Sequence, residues 1–479
     1  MGECESCQRN NNNNIFGEKP IELSKKEKLK YMENYICKVI GDKIVGTGFF
    51  FKVKGITELI PVLITNYHII NDEYLGKNNF LKVYIKGNYQ LIKINKESKL
   101  YSSERDKYDI MIIKLNDDKD AINNYLEIER KIFENDSLLT YKKEDIYILH
   151  HPKSMSGKAC ISYGKGIELI NKYDIKHFCY TDIGSSGGPI ISLSTNKVIG
   201  IHKGFIDNGA KSFNIGTFLK FPLDELDSKI KKNFLENNHI IAVINIKFED
   251  INKDIRIINS YEENMTTKST NSCLKKDYLD ENEIKKCLIE INGKPISFNY
   301  YHKFKKKGNY TIKYSFMNYL TRINHMFCEC SSIISINLSN FNTKNVINMS
   351  CIFARCSSLT NVNLTNINTQ NVKNMYGLFI KCRSLTSINL SNFNTRNVTN
   401  MMMMFKECSS LTNIDLSRFS TRNVENKKLM FIGCTSLKPE NIKIYSPSAR
   451  QELMQQFMLD MYLYNQFNDC NYAQEIFQS

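Results

Sequence analysis

A histidine, an aspartate and a serine stand in that chain order, each in a setting suited to nucleophilic catalysis. His68 ends the run Leu63-Ile64-Thr65-Asn66-Tyr67-His68, Asp109 opens Asp109-Ile110-Met111-Ile112-Ile113, and Ser186 lies in Gly184-Ser185-Ser186-Gly187-Gly188-Pro189. A serine hydroxyl attacks a carbonyl only when a base takes its proton, and a histidine base needs a carboxylate to hold its tautomer and stabilise the imidazolium. The glycines around Ser186 let the backbone turn so that the amides of Gly184 and Ser186 point at one developing oxyanion. Asp106 competes for the acid role. Asp109 is preferred because it abuts an apolar strand, whereas Asp106 lies in the charged run Glu104-Arg105-Asp106-Lys107.

Residues so far apart need a rigid frame. Short apolar runs at 46–53, 59–65 and 110–115, punctuated by turns and without long amphipathic helices between them, point to an all-β barrel or sandwich. Leu226, Ile230 and Phe234 recur at helical spacing and close this segment with an amphipathic helix. His150 and His151, before Pro152, read as a loop without a role.

With these motifs in hand, residues 31–236 resemble the trypsin-like, chymotrypsin-fold serine proteases. The Gly-x-Ser-Gly-Gly-Pro match at 184–189 is joined by Gly46-Thr47-Gly48-Phe49-Phe50 about twenty residues before His68 and by Val198-Ile199-Gly200-Ile201-His202 after the nucleophile. The resemblance implies a double β-barrel and peptide-bond hydrolysis through His68, Asp109 and Ser186, with Gly184 and Ser186 as the oxyanion hole. Trypsin's acidic residue six before the nucleophile is missing, since position 180 is Tyr. Thr181 and His202 instead resemble the substrate-binding pair of glutamyl endopeptidases and of the chymotrypsin-like cysteine proteases of picornaviruses, which cut after Glu or Gln. A histidine and a hydroxyl can both donate to a side-chain carbonyl or carboxylate. Two departures from the family are Ser185, where Asp is common, and the lack of a recognisable activation cleavage.

The C-terminal half repeats. Cys330, Cys356, Cys382, Cys408 and Cys434 keep a step of 26, as do Phe327, Phe353, Phe379, Phe405 and Phe431, and Leu338, Leu364, Leu390 and Leu416. Such a period signals stacked units that bury their apolar faces on one another. Residues 326–440 resemble the BspA-like leucine-rich repeats, which implies a solenoid with one short parallel strand per unit, a short helical or irregular return, and a surface for a protein partner. The cysteines are expected as stacked buried thiols. No histidine repeats with them, so no metal is expected, and the triad chemistry needs no cofactor. Residues 238–325, with alternating runs such as Ile240-Ile241-Ala242-Val243-Ile244, read as a small β-rich module that caps the first repeat, and residues 441–479 as a helical far cap. Lys427 replaces the repeated Met of Met349, Met375 and Met401, which marks the last unit as degenerating.

Residues 1–30 form the leader. Met1-Gly2-Glu3-Cys4-Glu5-Ser6-Cys7 fits N-myristoylation at Gly2 with palmitoylation at Cys4, a double signal that holds a chain to a membrane better than one acyl group. No apolar secretory core is present and no run approaches eighteen apolar residues. The expected place is thus the cytosolic face of a membrane. Lys+Arg at 65 against Asp+Glu at 50 gives +15, but the lysines are scattered and no nucleic-acid motif accompanies them. The expectation overall is a multi-domain serine endopeptidase preferring Gln or Glu, with a protein or peptide substrate and a protein partner on its repeats. The rival expectation is a catalytically inactive scaffold or sensor that binds through the repeats.

Overall fold

The computed structural model describes residues 20–22, 30–116, 122–134, 141–142, 144–164, 167–207, 212–260 and 281–469. The chain divides into two compact units that meet between Ile230 and Lys231.

In the N-terminal unit a seven-stranded antiparallel sheet contains Ile36–Ile40, Val45–Lys54, Leu59–Thr65 and Ile110–Lys114. An eight-stranded sheet contains Ile146–His150, Pro189–Ser192, Val198–Ile206 and Phe213–Phe218. The central strands read as unbroken apolar runs because both of their faces are buried. Successive side chains of a strand point to opposite sides, and here each side meets a different core. Phe50, Leu63, Met111 and Ile113 enter one core with Cys37, Val39 and Leu81. Phe49, Phe51, Ile64 and Ile112 enter another, which they share with Ile148, Ile190 and Ile201 of the second sheet. Register follows, with Phe50 opposite Leu63 and Leu63 opposite Ile113. Helix Lys220–Glu236 closes the unit, burying Leu223 and Leu226 and packing Ile230 against the second core.

The C-terminal unit begins with an antiparallel sheet in which His239–Ile246 pairs with Gly308–Ser315. Ile333–Asn337 adds antiparallel to the other edge of His239–Ile246, and Asn361–Asn363 then pairs parallel to it, with Ser335 opposite Asn361. From there the chain winds in coils of 26 residues. Parallel pairing at that step recurs at Ser387 with Asn413 and at the bridges joining Arg322, Asn348, Asn374, Asn400 and Asn426. Phe327, Phe353, Phe379, Phe405 and Phe431 stack at centroid spacings of 6.2, 5.3, 5.8 and 5.8 Å. Beside them the thiols of Cys356, Cys382 and Cys408 donate to the carbonyls of Phe327, Phe353 and Phe379, each at 3.0 Å. The eleven described cysteines are all buried. Burial raises the thiols of Cys356, Cys382 and Cys408, the last being pushed up to about 12. The return segments are irregular, with no helix between 338 and 438. Helix Pro447–Asp469 ends the described chain, and no described helix is long and apolar enough to cross a membrane.

Candidate active site

Thr65 pairs with Met111 across two neighbouring antiparallel strands, so the residues just beyond one and just before the other fall side by side. That places His68 against Asp109. One carboxylate oxygen accepts the His68 main-chain N–H at 3.0 Å, and the other lies 2.6 Å from His68 Nδ1. Asp109 is fully buried, and the His68 side chain keeps 17% exposure. Asp109 has φ +51°, a left-handed conformation that costs a non-glycine residue about 1–2 kcal/mol, so its surroundings must hold it there. Asp106 is exposed in the preceding turn.

The strand 45–54 brings the serine loop to this pair. Gly46 is approached by the Ser186 carbonyl and by the side chain of Ile69, the residue after His68. A Cβ on Gly46 would lie 2.0 Å from Ile69 Cδ1 and 2.9 Å from Ser186 O, so only glycine admits both. The Thr47 N–H donates to Ser186 O at 2.7 Å, and its hydroxyl donates to Gly184 O at 2.8 Å. Gly187 has φ +87°, and a Cβ there would sit 2.0 Å from Thr47 O. With the carbonyls of 184 and 186 turned toward Thr47, the Gly184 and Ser186 N–H groups donate to no acceptor among the described residues. Ser186 itself is half-buried.

The loop reading holds for His151 but not for His150. His150 ends strand Ile146–His150 and is fully buried. Its Nδ1 is 2.7 Å from Ser185 Oγ, its Nε2 is 2.8 Å from Ser162 Oγ, and Ser185 Oγ also accepts the Asp182 N–H at 3.0 Å. Burial, with the neighbouring His151 and His177, brings His150 down to about 3, so it stays neutral at ordinary pH. A neutral imidazole thus tethers the residue between the two free amides. Nothing in sequence marked it, because its partner lies 35 positions away.

Thr181 and His202 both lie beside this loop. The Thr181 hydroxyl is half-buried and donates to Asn214 Oδ1 at 2.6 Å, and Asn214 Nδ2 in turn donates to Cys179 O at 2.8 Å. His202 is hydrogen-bonded through its main chain to the serine loop, donating to Gly188 O at 2.8 Å and accepting from Gly187 N at 2.9 Å. Its Nδ1 lies 3.1 Å from Nε2 of His177, another residue that sequence reasoning missed. Burial, together with His150 and His68, lowers His202 to about 3, and burial and His202 push His177 well below its usual value. His177 Nδ1 is buried without a partner. In the tautomer with the proton on His177 Nε2, that nitrogen donates to His202 Nδ1 and what is left without a partner on His177 is a lone pair and not an N–H. His202 then carries its own proton on Nε2.

A groove of about 1260 Å³ elsewhere on this unit, between Phe51, Tyr125, Leu223 and Asp227, includes none of these residues. Among the described residues no cluster of three His, Cys, Asp or Glu is placed to hold a metal. Gly2 and Cys4, the expected acylation sites, lie outside the described residues.

Residues 309–457 match the family model described as DUF285, Mycoplasma protein of unknown function. Among the curated proteins nothing matches the chain. The inactive form of Rv3671c from M. tuberculosis H37Rv is similar at 15% identity over 45% of this chain and 96% of that one, with a TM-score of 0.31. The serine protease of a human pathogenic astrovirus is similar at 16% identity over 39% of this chain and 90% of that one, with a TM-score of 0.27. Residues 46–201 match the family model of the trypsin-like peptidase domain, and the N-terminal unit therefore carries such a domain.

Proposed function

We propose that this chain is a serine endopeptidase. The observation that carries the reading is the buried Asp109 carboxylate on His68 Nδ1, set beside a serine loop with two unengaged amides. Ser186 Oγ attacks the scissile carbonyl while His68 Nε2 takes its proton, and Asp109 steadies the imidazolium that results. The tetrahedral oxyanion forms between the Gly184 and Ser186 N–H groups, each donor lowering the barrier by about 3 kcal/mol. His68 then gives its proton to the leaving amine, an acyl-enzyme ester remains on Ser186, and a water deprotonated by His68 hydrolyses it.

The same proposal assigns the residue before the cut as Gln rather than Glu. A neutral His202 offers one Nε2–H, which suits a side-chain carbonyl. A carboxylate would enter beside buried imidazoles that resist charging, and among the described residues no Lys or Arg is one of the groups that shift them. Thr181 lies at the same pocket as a second donor or acceptor once a substrate competes for its hydroxyl. The C-terminal coils serve, in this reading, as a leucine-rich-repeat surface for a protein partner, and acylation at Gly2 and Cys4 holds the enzyme at the cytosolic face of a membrane. The regular 26-residue pairing supports the first and the Met1-Gly2-Glu3-Cys4 pattern the second.

The test is labelling of the full chain by a fluorophosphonate, followed by profiling on paired Gln and Glu peptides. Labelling that disappears in Ser186→Ala, with Gln preferred by at least about tenfold, is the expected result. Equal labelling of both forms, or none of either, would favour a protein-binding scaffold.

A further inference from the structure

Three successive carbonyls at the acid of the triad are each held by a side chain from a different element. Lys203 Nζ donates to Lys107 O at 2.7 Å, Thr217 Oγ1 to Tyr108 O at 2.8 Å, and Asn66 Nδ2 to Asp109 O at 2.7 Å. Helix Lys220–Glu236 supplies a fourth hold through one carboxylate. Glu225 accepts from the Tyr101 hydroxyl at 2.6 Å, the Tyr108 hydroxyl at 2.8 Å and the Lys107 ammonium at 2.8 Å. Tyr101 belongs to strand Lys99–Ser103, which pairs with Ile110–Lys114 so that Ser103 faces Ile110. Lys107 and Tyr108 belong to the turn between those strands. Glu225 therefore grips one strand of the hairpin and its turn, immediately before Asp109. Burial alone would raise the Glu225 carboxyl, yet the three donors leave it below its usual range, so it is ionised when it accepts them. The grip is continued by the Tyr108 ring, which packs edge-on against Tyr173 at 5.1 Å with the Lys107 ammonium 4.4 Å from its centre.

We propose that Glu225 is a positioning residue for the triad, acting through Tyr108 to hold Asp109 in its left-handed conformation against His68. Glu225 touches neither His68 nor the serine loop. Its role follows from placement, because Asp109 departs from the conformations its own backbone prefers, and loss of the Glu225 carboxylate releases the Tyr108 hydroxyl and the Lys107 ammonium, so that the turn, still held by its three carbonyl bonds, loosens and aligns the Asp109 carboxylate less well with Nδ1. The inference rests on the serine-protease reading of the same site, and its test separates the two.

Glu225→Ala, Glu225→Gln and the pair Tyr101→Phe with Tyr108→Phe are to be made in the full chain. Their kcat, KM, pH profile and thermal midpoint are measured against wild type, with rates referred to sites labelled by fluorophosphonate. Glu225→Ala is expected to lower kcat about tenfold with KM unchanged, as loss of alignment does. It also moves the acid limb of kcat/KM downward by about half a pH unit, because a displaced carboxylate stabilises the His68 imidazolium less. Gln, which keeps one acceptor oxygen, falls between, and the double phenylalanine variant moves the same way as Ala. A fall in thermal midpoint with kcat per labelled site and acid limb unchanged would overturn the proposal and leave Glu225 as a helix anchor only. If wild type hydrolyses no peptide, the His68 ring is titrated by NMR in histidine-labelled protein. A lower His68 pKa in Glu225→Ala still supports the positioning role, and an unmoved one still overturns it.

Discussion

In the proposed mechanism His150 is a buried side chain that governs catalysis without touching a substrate. Both ring nitrogens are taken by hydroxyls, one of them on Ser185, whose neighbours on either side offer the two free amides. Phe at 150 fills most of the volume but leaves Ser185 and Ser162 each short of a partner in a buried site. The loop then loses the contact that fixes the rotation of the 184–186 peptides. We expect His150→Phe to lower kcat by about 10–100-fold with KM for peptides nearly unchanged, since oxyanion donors act on the transition state and not on ground-state binding. Ser185→Ala should do the same. Because the two residues form one contact, the double variant is expected to be little worse than either single one, and a double-mutant cycle on kcat checks this. Fully additive losses would mean that the two act through separate routes.

At the scale of elements, the end of the coil stack is the most informative place. Within the stack each coil's Phe N–H donates to a carbonyl of the next coil, Phe353 to Leu378, Phe379 to Met404 and Phe405 to Met430. Phe431 has no next coil, and its N–H donates instead to Asp460 Oδ2 of the terminal helix at 2.8 Å, while Phe457 of that helix closes the ring stack edge-on. Lys427, the residue that broke the methionine column, pairs with Glu452 of the same helix at 2.9 Å. Asp460→Ala strands a buried N–H, at a cost of about 1–3 kcal/mol concentrated in the last coil. It should therefore expose Cys434 to a thiol reagent at a rate that wild type does not show, with Cys356 and Cys382 still protected. The period of 26 was legible because every coil repeats the same apolar side chains. The turns were not. Glu329, Arg355, Lys381 and Glu407 all adopt left-handed backbone at the position before the cysteine, where only the last coil has a glycine, Gly433. Their N–H groups reach carbonyls of the following coil, at 2.8 Å for Glu329 and 2.7 Å for Lys381, so the neighbour and not the local sequence fixes the turn. The same contrast holds in the N-terminal unit. The motifs around His68, Asp109 and Ser186 each sit within a few residues of chain, whereas His150, His177, Asn214 and Glu225 act through partners tens of residues away and carry no local signature.

For the whole molecule, the two units differ in how they should respond to acid. His150, His151, His177 and His202 are all buried in the N-terminal unit, the first, second and fourth lowered to about 3 and His177 well below its usual value, with desolvation the leading cause for each. An unfolded histidine binds a proton below about pH 6.5, and these four do not while the unit stays folded. Stability from them is thus complete above 6.5 and is lost as pH falls toward 3, at about 1.4 kcal/mol per histidine for each pH unit. In the C-terminal unit burial lowers two histidines, His239 and His302, a smaller contribution of the same sign, and its buried Asp460 works the other way. Burial raises that carboxyl, so native protein takes up its proton before unfolded chain does and gains stability as the medium becomes acid. The separate cores of the two units predict two heat-absorption peaks. Between pH 7 and pH 5.5 the N-terminal peak should fall by about 10–20 °C, given about 2–4 °C per kcal/mol for a unit of this size, while the C-terminal peak moves by only a few degrees. Scanning calorimetry at the two pH values, with Ser186→Ala to prevent self-cleavage, assigns the peaks. A common shift of both peaks, or an N-terminal peak that does not move, would show that the four imidazoles are not held neutral in the folded unit. It would also remove the ground on which His202 is expected to select Gln over Glu.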